Sequence, residues 1–525
     1  MRAHRGRGAR WLLLGLILLL AGGVSAASAQ ATTRHKPKPK PKPSPVVLAV
    51  HVPKLHGPVV QTVLTTFDEH YALRRMPSQY FVTQTSNRPV IKVDDHVRYQ
   101  RMIGFGAAMT DSSAWLIQDE LTTWQRNRVL RQLFSPSQGI GLNVTRVPIG
   151  ASDFTATGVP YTYDDNPPSG QPDPSLSNFS IAHDTPYIIP ALTEMLAENP
   201  QTRIISTAWS PPAWMKANDQ LNDIGAHGTL LSQDYQPLAD YFVKFIQAYQ
   251  ALGVPIWAIT PENEPQSSAQ FPSMWLPAAD EAQFITQDLL PALQQNGLHP
   301  RIFGLDGTTL PYAQTLEQSA AAAHLAGMAW HCYGGSQTMG QFHAAYPAVV
   351  NLTTECSPGI IPYGAAEATL SALNNSASLV QLWNLALDPQ GGPVQPPNSG
   401  CHRCTGLVVV DPATRRAKLR RNYYQLGQFS EFIRRGARRV AATRFVTEFK
   451  SSTAPHYGVT PGLDDVAFLD PGGRRVLVVY NNAPTERYFA VQWDAQKFQY
   501  KLPPKAIVTF TWRPGKAGGA TSPAR

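Results

Sequence analysis

Four cysteines in 525 residues are too few for a chain held together by disulfides. Only one pair is spaced as CxxC, Cys401-His402-Arg403-Cys404, so a four-thiolate zinc ribbon is excluded. No stretch reads GxSxG, which removes the serine elbow of an α/β-hydrolase. Nor does GxGxxG follow a strand-like run: GFGAAMTD is the nearest approach and does not match. Beyond the first 30 residues no apolar run is long enough to cross a bilayer. Charge is scarce too, at 15% of residues, and the formal net of +9 is misleading. Arg2, Arg5, Arg7, Arg10, Arg34, Lys36, Lys38, Lys40 and Lys42 supply nine positives within residues 1–45, where there is no acid. The remaining 36 Lys and Arg equal the 36 Asp and Glu. A basic face for nucleic acid is therefore not indicated.

What is present begins with a leader. MRAHRGRGAR is basic, WLLLGLILLLAGG is apolar, and VSAASAQ is small, the layout of a secretory signal over residues 1–29 with cleavage after Ala26 or Ala29. The alternative is an uncleaved membrane anchor. Residues 30–45 contain HKPKPKPKPSP, an extended, solvated spacer. It is expected either to touch an anionic polymer of the cell envelope or to act as a spacer alone. Residues 46–100 carry alternating runs such as VVQTVLTTF and VIKVDD, and residues 436–513 carry DVAFLD, RVLVVYNN, RYFAVQW and AIVTFTW; both read as β-strands. Residues 514–525 read as a disordered tail. In an exported chain Cys401 and Cys404 are expected to form a small local disulfide.

The middle, residues 101–435, alternates short apolar runs with helical patterns. Eight runs stand out: IGFGAAMT, LNVTRVPI, RIISTAW, IWAITPENE, RIFGLDG, MAWHCY, VVNLTTEC and LVQLWNLAL. Between the third and fourth, Leu238, Phe242, Phe245, Ile246 and Tyr249 repeat on one helical face. The fold class is α/β, and eight strands alternating with helices predict a (β/α)8 TIM barrel. Each run ends in polar or aromatic residues: Asp111, Arg146, Trp209, Glu264, Asp306, His331 with Tyr333, Glu355, and Trp383 with Asn384. In a barrel these ends converge on one mouth.

ITPENEP, at the fourth strand, and TTEC, at the seventh, then face each other with a carboxylate each. Such a pair among Trp, Tyr and Asn fits glycoside hydrolysis, with rings as platforms for sugar faces. A regular strand puts Glu262 and Glu264 on the same face, so alternation does not choose between them. His331, Asp306 and the glutamates could in principle ligate a metal, but their spacing matches no familiar motif. Neither metal nor organic cofactor is expected.

These stretches resemble glycoside hydrolase family 30, the family of lysosomal glucosylceramidase and its bacterial relatives. The resemblance runs from about residue 100 to 440. GFGAAMTDSSA, TRVPIGASDF, YTYDD, NFS, STAWSPPAWMK, ITPENEP, WHCYGG, TTECS, WNLALDPQGGP and NYYQLGQFSEFIRRGARRV carry it. It implies Glu264 as general acid/base and Glu355 as nucleophile of a retaining enzyme. It also implies that Asn263, Asp111, Trp209, Tyr333 and Trp383 bind substrate and that Arg146 and His331 orient the carboxylates. Both chain ends are expected to build one β-sandwich beside the barrel. Cys332 and Cys356, on neighbouring strands and turned from the lumen, are candidates for a second disulfide. Three departures fall near subsite walls: Leu382 before Trp383, Cys332 between His331 and Tyr333, and the loop NSGCHRCTG. The expected substrate is a β-linked glycan or glycolipid, either β-1,6-glucan or a glucosylceramide-like molecule. A non-catalytic, envelope-tethered carbohydrate-binding protein is the alternative.

Overall fold

A computed structural model describes residues 57–165, 171–224, 228–359, 364–395, 401, 403–443 and 462–514. The leader, the Lys-Pro tract and the C-terminal tail lie outside the described residues.

Eight parallel strands close into a barrel: β1 (Gly104–Ala108), β2 (Val144–Ile149), β3 (Arg203–Ala208), β4 (Ala258–Thr260), β5 (Arg301–Gly307), β6 (Leu325–His331), β7 (Asn351–Glu355) and β8 (Ala377–Leu382). β8 closes the ring on β1, with Leu379 opposite Gly104. Helices cover the outside. The helix Tyr235–Ala251 buries all five residues of its predicted face. Gly106 is required where β1 meets β2: a Cβ there would stand 1.8 Å from the Val144 carbonyl oxygen.

One apolar layer fills the lower lumen. Val144, Ile205, Ala258, Phe303, Ala329, Leu352 and Leu379 contribute one side chain from each of β2 to β8. This is the filled interior expected of an eight-stranded parallel barrel.

The second domain is a β-sandwich whose strands come from both sides of the barrel sequence. Nine strands form it in the order 496–502, 487–493, 90–101, 438–442, 463–469, 475–481, 506–512, 59–66, 74–80. Phe81, Trp493, Phe498 and Trp512 meet in its interior. Its central strands are buried on both faces. In Arg475–Asn481, Leu477 and Val479 face the sandwich interior, while Val476, Val478 and Tyr480 join the core shared with the barrel helices. Double burial explains why RVLVVYN reads as a continuous apolar run.

Candidate active site

The lumen changes character two residues above the apolar layer. A strand returns to the same face every second residue, so Val144, Ile205, Ala258, Ala329, Leu352 and Leu379 are followed by Arg146, Thr207, Thr260, His331, Thr354 and Gln381, all buried. On β5 alternation would follow Phe303 with Leu305. Instead Leu305 packs into the outer core and Asp306 faces the lumen. The backbone explains the exchange. Leu305 and Asp306 take φ of 77° and 39°, and pairing with β6 shifts register between Gly304 and Gly307. Such an irregularity re-aims a side chain.

Asp306 is the hub of the polar layer. It accepts from Arg146 Nη2 at 2.8 Å, Thr207 Oγ1 at 3.0 Å, Thr260 Oγ1 at 2.7 Å and Thr354 Oγ1 at 2.5 Å. His331 Nε2 donates to it across 3.3 Å. Burial alone would raise its pKa. The Arg146 charge and the His331 and Thr354 hydrogen bonds outweigh burial and hold it well below the usual carboxylate range.

From this hub two arms reach the glutamates. Arg146, fully buried, donates through Nη1 to Glu355 Oε2 at 2.6 Å and through Nη2 to Asn263 Oδ1 at 2.7 Å. Tyr333 donates its hydroxyl to Glu355 Oε1 at 2.9 Å. His331 holds the other glutamate, with Nδ1 2.9 Å from Glu264 Oε1. Burial would lower the His331 pKa, yet the Glu355 charge and the bonds to Asp306 and Glu264 raise it to about 10. Its ring is an imidazolium at neutral pH, donating from both nitrogens. Oxygens of Glu264 and Glu355 and a His331 nitrogen all lie within 4.8 Å of one another. With both ring nitrogens donating, His331 ties Asp306 to Glu264 through hydrogen bonds.

The ambiguity between Glu262 and Glu264 is resolved by where β4 stops. The strand ends at Thr260. Beyond it Asn263 N donates to Ala208 O at 2.7 Å, and Glu264 N donates to Asp306 O at 2.9 Å with Glu264 at φ 48°. This turn carries Asn263 and Glu264 both to the mouth. Glu262 goes the other way, buried, with Oε1 accepting from Met274 N at 3.1 Å. Burial pushes Glu262 well above its ordinary range, and Lys216 offsets this only in part. Beside Glu264 opens a cavity of about 360 Å³, lined by Pro265, Gln266, Ser267, Leu305, Thr308, Thr309, Tyr312 and Tyr333 among others.

Residues 102–433 match the profile described as the glycosyl hydrolase family 30 TIM-barrel domain, and residues 436–510 match that family's β-sandwich domain. The chain belongs to glycosyl hydrolase family 30. It is 36% identical over 405 residues to an endo-1,6-β-D-glucanase of Neurospora crassa, covering 75% of this chain and 82% of the relative. It is 29% identical over 495 residues to the lysosomal acid glucosylceramidase of Mus musculus, covering 87% and 91%. A solved endo-β1,6-glucanase superposes with a TM-score of 0.75 at 29% identity, covering 87% of this chain and all of that one. As a family 30 member the chain is a glycoside hydrolase.

In this family 30 enzyme the remaining expected site residues occupy two further clusters. Trp209 and Trp383 stack at 5.3 Å, and the Arg146 guanidinium lies 4.4 Å from the Trp209 ring centre. Cys401 and Cys404 are disulfide-bonded and pack against this aromatic pair. Cys332 and Cys356 form the other disulfide, turned into the outer core. Asp111 opens the helix Asp111–Gln118 behind the N-cap Thr110. Its carboxylate accepts from Ala156 N, Tyr161 OH and Tyr187 OH, and His183 Nε2 lies 2.6 Å away. Two acids went unread. Asp306 stood among the strand ends, weighed only as a possible metal ligand. Asp153, in TRVPIGASDF, accepts from Cys401 N at 3.3 Å; burial, then the Glu355 charge, push it well above its ordinary value.

Proposed function

We propose that this enzyme is an exported, retaining β-glucan hydrolase that cleaves β-1,6-glucosidic bonds. The observation that carries the stereochemistry is the approach of Glu264 and Glu355 within 4.8 Å. Retaining enzymes hold their carboxyls about 5–5.5 Å apart, whereas inverting ones leave about 6.5–9.5 Å for a water. Glu355, aligned by Arg146 and Tyr333, attacks the anomeric carbon. Glu264 protonates the departing oxygen, then deprotonates the water that releases the sugar. Asn263 presents its NH2 edge to the sugar, because Oδ1 is held by Arg146.

In the free site burial raises the Glu264 carboxyl, but the His331 hydrogen bond and charge outweigh it and the net shift is downward. A sugar seated over Glu264 expels water and favours the neutral acid, and the His331 contact is short enough to deliver the proton. The preference for glucan over glycolipid is supported by the endo-1,6-β-glucanase relatives and by the amide and hydroxyls of Gln266, Ser267, Thr308 and Thr309 in the cavity beside Glu264. Export is supported by the leader sequence.

The test follows the product anomer by NMR during hydrolysis of β-1,6-glucan, an aryl β-glucoside and glucosylceramide, with Glu355→Gln and Glu264→Gln as controls. β-Glucose ends released first from β-1,6-glucan, and lost with Glu355→Gln, support the reading. An α product sinks the retaining mechanism. Turnover of glucosylceramide alone replaces the substrate. N-terminal sequencing of protein from the medium tests cleavage after Ala26 or Ala29.

A further inference from the structure

A second cavity, of about 680 Å³, lies at the opposite end of the barrel from the carboxylates, between the strand beginnings and the paired sandwich strands 90–101 and 438–442. Arg98, Arg101, Arg203, Arg301, Arg435 and Arg438 line it, and no Asp or Glu is among its lining residues. Among the described residues none of the six takes part in an ion pair. Repulsion is built in twice. Arg101 and Arg438 stand directly opposite each other across an antiparallel ladder, where like charges destabilise. Arg203 and Arg301, which begin β3 and β5, set their guanidinium carbons 4.5 and 5.7 Å from the ring centre of the same indole, Trp257. Arg435 is fixed beside them by carbonyls, donating to Ile103 O at 3.0 Å and to Asn143 O and Gln201 O at 2.9 Å. Its pKa is lowered to about 10, by burial first and then by Arg203. The recess is therefore concave, ordered and positive, with no counter-charge in its walls.

We propose that this recess binds a polyanion bearing phosphate or sulfate groups, on the face of the barrel remote from catalysis. A guanidinium fork matches the oxygens of such groups and remains charged at any working pH. One monovalent ion would leave most of the repulsions standing, whereas a multiply charged ligand relieves several together. The volume is in the range of small-molecule sites, about 300–1,000 Å³. Occupation of the floor leaves the mouth free, so the enzyme can hold an anionic polymer while cleaving a neutral glycan.

The test uses the whole exported chain. Sodium pyrophosphate, sodium sulfate and sodium chloride are titrated at one constant ionic strength, with melting followed by circular dichroism and affinity by calorimetry. The expected result is a rise in Tm with pyrophosphate or sulfate over chloride, and an affinity at least about tenfold weaker in Arg203→Gln/Arg301→Gln. Whichever of the two anions binds more tightly identifies the ester. Arg101→Gln, at the end of sandwich strand 90–101, should weaken binding in the same direction and provides a second variant should the double one misfold. Equal responses to all three salts, or equal responses of wild type and folded variants, overturn the proposal.

Discussion

At the scale of single residues the site is governed by one buried acid and the groups it organises. Asp306 fixes Arg146 and His331, and these fix the two glutamates. Two pH effects follow. His331 rises to about 10 in the folded protein from an ordinary 6.5. A raised pKa contributes stability that is complete below the unfolded value and lost as pH climbs through the folded one. Urea unfolding of wild type should therefore weaken between about pH 6.5 and 10 by a few kcal/mol more than that of His331→Gln. The second effect is catalytic. Glu264 is lowered in the free site, whereas the proposed mechanism has bound sugar raise it. The alkaline limb of kcat, which reports the complex, should then lie at higher pH than that of kcat/KM; coincident limbs would refute the substrate-driven proton shift. The sequence showed Glu264 and Glu355 because each closes a strand-like run. Strand alternation alone could not rank Glu262 against Glu264, which took the family resemblance, nor reveal Asp306 as the hub. Both depend on the chain abandoning alternation at a strand end, which no period detects.

At the scale of elements, the eight strand-like runs all became barrel strands, and the misreadings cluster at their upper ends. IWAITPENE keeps only Ala258–Thr260 as strand. MAWHCY stops at His331, and Cys332–Gly334 is a single 3-10 turn. LVQLWNLAL breaks after Leu382, and its second piece, Ala386–Leu387, joins a small sheet with Val408–Asp411 and Arg416–Leu419. Backbone bonds to neighbouring strand ends replace the ladder at the first and third of these places: Asn263 N and Glu264 N donate to Ala208 O and Asp306 O, and Trp383 N donates to Cys356 O. The Cys332–Cys356 bridge braces the same region, joining the residue after His331 to the residue after Glu355. Its sequence separation of 24 gives about 3–4 kcal/mol by loop entropy. Cys332→Ala/Cys356→Ala should lose roughly that much in denaturant unfolding, with a fall in kcat as Tyr333 and Glu355 loosen. Both sulfurs' residues are buried, so reductant alone should leave native activity unchanged.

At the scale of the molecule, barrel and sandwich share one continuous core. Val63, Val466, Phe468, Val476, Val478, Tyr480 and Ile507 of the sandwich belong to the same cluster as the barrel helices. Gln428, on the helix Arg421–Ser430, donates to Thr65 Oγ1 and accepts from Thr509 Oγ1, tying strands from both chain ends. Calorimetry should show one unfolding transition for both domains, because neither can melt without exposing the other's apolar face; two resolved peaks would contradict this. The sandwich strands were readable from their β-branched runs. Their partnership across the barrel sequence came from family resemblance, since no local pattern encodes which distant strands pair.

The left-handed turn at Glu264 carries a consequence for engineering. A glutamate in that region costs of order 1–3 kcal/mol, a cost glycine does not bear. Glu264→Gly relieves that strain but also loses the bond to His331 and adds chain entropy to the unfolded state, so its Tm should lie near that of wild type, while it retains Glu355 and the Arg146 frame. Such a protein could still be glycosylated by donors whose leaving group needs no proton, but would release the sugar slowly. On the proposed mechanism, removing this one side chain would convert the enzyme into a durable covalent trap for its substrate.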